Sequence, residues 1–139
     1  MAFKFEQLDV WRLALDYVDI IYELSSRLPR DEEYNLKSQL KRAATSITLN
    51  IAEGSSGLSD AEQARFIGIA IRSLVETVAC LHLVHRRGYL DEPTPLRIAY
   101  TNAETLFRRL KAFQNTLTST TSSIREDSAI YEVDETLPF

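Results

Sequence analysis

Apolar residues recur along this chain at three- and four-residue spacing in four long stretches, each followed by a short polar or glycine- and proline-marked break. That period belongs to the α-helix. The first stretch predicts a helix over 5–28 with two adjacent stripes. One is Leu8, Trp11, Leu15, Val18 and Tyr22, the other Ala14, Tyr17, Ile21, Leu24 and Leu28, and Pro29 stops it. The second predicts a helix over 32–54, opened by Asp31, Glu32 and Glu33, whose charge suits a helix N-terminus. Its inner stripe is Leu36, Leu40, Ala43, Ile47 and Ile51, and Gly54 is expected to end it in the left-handed region.

The third helix is predicted over 59–87, from a Ser59/Glu62 capping box to a stop at Gly88. It carries one stripe of Ile67, Ile71, Leu74, Val78 and Leu81. A second holds Phe66, Ala70, Cys80 and Val84, with Ile69 and Leu83 between them. The fourth is predicted over 95–118, with Thr94 as N-cap and Pro95 in the first turn. Its heptad runs Leu96, Ala99, Ala103, Leu106, Leu110, Phe113 and Leu117.

Long helices joined by short corners must lie antiparallel to their chain neighbours. The pattern therefore predicts an all-α, up-down-up-down antiparallel four-helix bundle over residues 1–120. A bundle helix needs one apolar stripe for its own core. The extra stripes on the first and third helices predict assembly through helix faces into a ring-like homo-oligomer, because large apolar patches are rarely left open.

Length and composition sharpen this picture. The chain has 139 residues, 45% hydrophobic and 26% charged, with four Gly and four Pro. That suits one helical domain and argues against a loop-rich β-sandwich or a disordered chain. A single cysteine, Cys80, excludes an internal disulfide. With no basic-then-apolar N-terminus and no apolar run of membrane-spanning length expected, the chain reads as cytoplasmic and without a membrane partner. The net charge of −4 is unevenly placed. Residues 1–120 are balanced, and the imbalance lies in an acidic C-terminal tail, 121–139, where Arg125 stands against five carboxylates. The tail retains Ile124, Ile130, Tyr131, Val133, Leu137 and Phe139, enough apolar surface to dock on the body.

Candidate chemistry is sparse. No glycine-rich phosphate loop, paired-cysteine site or HExxH is present. His82 and His85 share a helix face at a spacing that can chelate a metal, but neither has the Glu-x-x-His context of a di-iron bundle. Cys80 has no His-Asp or His-Asn arrangement readable near it and reads as a small core residue. No catalytic residue, cofactor site or metal site is assigned. Gln39, Arg42, Ser46, Asn50 and Glu53 step along one side of the second helix, with Ser73 and Glu76 opposite on the third. Polar groups beside a core must find partners, so these seven predict a structural polar network. A local excess of three positive charges from Arg97, Arg108, Arg109 and Lys111 marks a candidate partner-binding basic patch on the fourth helix.

Several strings carry a family resemblance: Phe5-Glu6-Gln7-Leu8-Asp9-Val10-Trp11, Glu33-Tyr34-Asn35-Leu36, Gln39 through Ile47, and Asn50-Ile51-Ala52-Glu53-Gly54. Arg65-Phe66-Ile67, Ser73-Leu74, Glu76 and Gly88-Tyr89-Leu90 complete them. Over roughly 3–117 the chain resembles the four-helix bundle proteins encoded in intervening sequences of bacterial 23S rRNA genes. A related branch is the accessory variability protein of diversity-generating retroelements. The resemblance implies a barrel-like homopentamer without established catalysis and with a nucleic-acid connection. In the retroelement branch that connection runs through a strongly basic surface, which this neutral body lacks. Asn35 and Arg72 also stand where the family pattern has glycine. The expected function is a non-catalytic oligomeric scaffold or binding protein, for RNA, DNA or a nucleic-acid enzyme. The alternative is a metal- or ligand-binding helical bundle with enzymatic activity.

Overall fold

The computed structural model describes residues 2–57, 59–118 and 137–139. A 3-10 turn, Lys4–Gln7, leads into α1 (Asp9–Ser26). A second 3-10 turn, Arg30–Glu32, precedes α2 (Leu36–Gly54), and α3 (Asp60–Arg87) and α4 (Thr94–Thr118) follow. No strand occurs among the described residues. The helices pack in a closed cycle, each on its chain neighbours and α1 on α4. Asp9 meets Arg109, while Ile20 and Glu23 share a groove with Thr94 and Ile98, so the start of α1 lies by the end of α4.

The inner stripe of α1 is buried throughout: Ala14, Tyr17, Ile21 and Leu24, with Leu28 just beyond the helix. It meets Leu40, Ile47 and Ile51 of α2, Ile67, Leu74 and Leu81 of α3, and the heptad of α4 in one core. Full burial of each such side chain is worth about 1.5–3 kcal/mol, so this core outweighs any surface contact. In α4 the heptad from Leu96 to Leu110 is buried, and Phe113 and Leu117 are half-buried where the helix runs out of neighbours.

Three boundaries differ from the sequence pattern, each for a local reason. Leu8 is extended (φ −77°, ψ 135°) and divides the expected first helix into the 3-10 turn and α1, with Phe5 packed edge-on against Trp11 at 4.6 Å. The second helix begins at Leu36 instead of 32, because Asn35 leaves the helical region (φ −127°, ψ −97°). Glu32 still serves α2 from outside it, accepting from the Leu36 N–H (3.4 Å) and the Asn35 side-chain amide (3.0 Å). At Ser59 only half of the capping box forms. Its hydroxyl accepts from the Glu62 N–H, while the Glu62 carboxylate pairs with Arg65.

Gly54 is not left-handed; the positive-φ glycines are Gly57 and Gly88. It is the last helical residue of α2, and a Cβ there would stand 2.9 Å from the Phe66 Cβ. Its smallness therefore sets the close approach of α2 and α3. Gly88, at φ 67°, ends α3 as expected.

The second stripe of α3 also departs from the reading as surplus. Ala70, Cys80 and Val84 are buried and Phe66 is half-buried, because α3 packs against both α2 and α4. Wholly outward on this helix are Val75 and Leu83. By length and composition α3 could cross a membrane, contrary to the expectation that no apolar run is long enough. Its buried apolar residues pack into the bundle core here, while Val75 and Leu83 stay exposed.

Candidate functional site

The polar side of α2 lies between two open grooves. One, of about 710 Å³, runs between α1 and α2 and is lined by Tyr22, Lys37, Lys41, Thr45, Leu49, Asn50 and neighbouring residues. The other, of about 430 Å³, runs between α2 and α3 and is lined by Tyr34, Gln39, Arg42, Ser46, Ser73 and Glu76 among others. Ser38, Arg42 and Ser46 border both.

Only part of the expected polar network is joined by hydrogen bonds. The Ser73 hydroxyl donates to Ser46 Oγ (3.0 Å), linking α3 to α2. Asn50 donates to the Ser46 carbonyl (2.8 Å) and hydroxyl (3.1 Å) within α2. Arg42 donates to Ser38 Oγ (3.2 Å). Gln39, Glu53 and Glu76 lie exposed on the groove walls, outside this set. In the wider groove Lys41 Nζ stands 5.4 Å from the Tyr22 ring centroid, and Lys37 pairs with Glu33 at 3.2 Å. Apolar surface remains open in this groove at Tyr22, 44% exposed, and Leu49, 58%, and Leu15, two turns before Tyr22 on α1, is 42% exposed.

Each cation of the candidate basic patch has a partner. Arg109 pairs with Asp9 of α1 at 2.7 Å and Arg108 with Glu104 at 3.7 Å. Lys111 donates to Gln114 Oε1 (3.3 Å), and Arg97 Nε donates to the main-chain carbonyl of Phe139 (2.6 Å). Arg97 and Arg108 share the outer face of α4, about 16 Å apart along the axis. Arg109 instead ties α4 to α1.

His82 and His85 meet the same Phe139, their ring centroids 4.9 and 5.2 Å from that of the phenylalanine. Among the described residues no three His, Cys, Asp or Glu side chains gather as a metal group. Cys80 is buried and burial pushes its thiol up, away from a reactive thiolate. Of the acidic tail only Leu137–Phe139 is described, and it is docked; residues 119–136, with Ile124, Ile130, Tyr131 and Val133, lie outside the described set.

Two polar pairs escape the sequence reading. The Tyr17 hydroxyl lies 2.7 Å from Thr77 Oγ1 in the core, and Thr77 donates to the Leu74 carbonyl (2.6 Å). Burial pushes the Tyr17 phenol well up. A tyrosine on an inner stripe needs a partner for its hydroxyl, and that was the available sign. Tyr89 donates to Glu32 (2.5 Å), which holds the Glu32 carboxyl below its ordinary range and raises the Tyr89 phenol.

The family model for the 23S rRNA-intervening sequence protein matches residues 6–112. The chain belongs to that family. The family span covers α1, α2, α3 and most of α4, with both α2 grooves, and stops short of Phe139. The resemblance noted over 3–117 thus coincides with the family core. No curated protein matches the chain.

Proposed function

We propose that this family member is a non-catalytic, homo-oligomeric scaffold whose copies meet through the α1–α2 face. The observation that carries this reading is the open apolar surface on this face, where Tyr22 and Leu49 line the 710 Å³ groove and Leu15 stands exposed two turns before Tyr22 on α1. Leu15 and Tyr22 are the members of the outer α1 stripe left exposed, while Leu8, Trp11 and Val18 pack partly buried against the core. The ring of five implied by the resemblance supplies the arrangement in which that surface would be covered. On this reading the chain works in the cytoplasm without a cofactor, and nucleic acid or a nucleic-acid-associated protein is a partner of the assembled ring. Lys37, Lys41 and Arg42 along the groove outnumber Glu33 and Glu53 by one charge, a small excess that favours an anionic partner only when repeated around a ring.

Light scattering tests the assembly. The protein at tens of micromolar should weigh a multiple of 15.9 kDa. Leu15→Asp with Tyr22→Glu should return it to a folded monomer. A wild-type chain that stays folded at 15.9 kDa overturns the proposal. A filter-binding titration with RNA at low and high salt tests the anionic partner. Binding that is absent, or indifferent to salt, removes that part.

A further inference from the structure

Outside the family span, the segment Leu137–Phe139 sits across the outer faces of α3 and α4. Phe139 is 8% exposed and joins the buried apolar cluster, held by exposed His82, His85 and Arg97 and by half-buried Tyr100. Its ring lies against His82 and His85 of α3 and meets Tyr100 of α4 nearly edge-on, with centroids 5.7 Å apart and planes at 88°. Arg97 reaches its main-chain carbonyl. An aromatic cage for one ring, with a guanidinium on the adjoining carbonyl, is how a protein reads a short peptide.

We propose that the His82–His85–Arg97–Tyr100 groove is a peptide-docking site for a phenylalanine-bearing apolar segment, and that Leu137–Phe139 is its tethered, exchangeable occupant. Two observations support exchange. His82, His85 and Arg97 are exposed residues on the outer faces of α3 and α4, so the site survives loss of its occupant. Pro138 is exposed, and one side-chain hydrogen bond holds the segment's main chain.

The test uses the full-length chain with Phe139→Ala, which empties the cage; because Phe139 also belongs to the buried apolar cluster, a urea midpoint shows how much stability the variant keeps. A fluorescent hexapeptide of the sequence Asp-Glu-Thr-Leu-Pro-Phe is titrated by polarisation. It should bind this variant saturably, with Kd of the order of 10–500 μM for one caged ring and one charge-assisted bond. The wild-type chain should bind it at least ~10-fold more weakly, because its own segment competes. Adding Arg97→Ala to the variant, or replacing the peptide's Phe by Ala, should weaken binding by a similar factor. Circular dichroism confirms that each variant is folded. No saturable binding to folded Phe139→Ala, equal binding to wild type and variant, or indifference to the peptide's Phe each overturns the proposal. Oligomer mass is read separately, so failure here leaves the scaffold reading standing.

Discussion

Gly54 shows what a single side chain does at the junction of α2 and α3. Alanine normally gains up to about 1 kcal/mol over glycine in a helix, but less at its last residue. Here the added Cβ meets Phe66 Cβ at 2.9 Å, and overpacking costs about 1–3 kcal/mol. Gly54→Ala should therefore destabilise, and Gly54→Val more so, both read as lower urea midpoints. Ser25 works in the opposite direction. Its hydroxyl is fully buried and finds no hydrogen-bond partner among the described residues, so Ser25→Ala should raise stability by about 1 kcal/mol. Glu32 and Tyr89 give a pH signature. Because folding lowers the Glu32 pKa, the bond contributes above the unfolded value, about 4.3, and that contribution is lost as pH falls through the folded value. The raised Tyr89 phenol extends the same bond on the alkaline side, until pH climbs through its folded value. Tyr89→Phe should flatten the loss of urea midpoint between pH 6 and pH 3. Parallel curves for wild type and variant would count against the coupling.

At the scale of elements, the Tyr17–Thr77 bond ties α1 to α3 through the core, and its two ends are unequal. Tyr17→Phe removes a donor while Thr77 keeps its bond to the Leu74 carbonyl, at a cost of about 1 kcal/mol. Thr77→Val leaves the Tyr17 hydroxyl buried and alone, which should cost about 1–3 kcal/mol in chemical denaturation. Asn50→Ala should cost less than either, because both Asn50 bonds lie within α2. These elements also show how much was legible beforehand. Helix periodicity placed Ala14, Ile47, Leu74 and Leu106 inside, since burial and spacing carry the same information. It could not place the break at Asn35, where one backbone torsion decides, nor tell that Gly54 is small for packing. The polar stripe on α2 was readable as a stripe. Which members bond depends on the rotation and separation of α2 and α3, so Ser46–Ser73 formed while Gln39, Glu53 and Glu76 stay outside the bonded set. The pairing of Arg109 with Asp9 joins residues a hundred positions apart, beyond the reach of local charge counting.

For the molecule as a whole, the open strip on α1 and α2 has a thermodynamic consequence. If copies cover it, assembly favours the folded state by mass action, and the melting temperature should rise with protein concentration. Leu15→Asp with Tyr22→Glu should abolish that dependence while leaving the helical circular dichroism signal intact. A melting temperature independent of concentration over a hundredfold range would argue for a self-sufficient monomer.

The cyclic order of packing bears on synthesis. Three of the four seams join helices adjacent in the chain and can zip as they leave the ribosome. The seam between α1 and α4 must wait until the last helix has emerged. Until then α1 is a half-sheltered greasy rod, and the Asp9–Arg109 ion pair is a clasp made only once α4 has emerged.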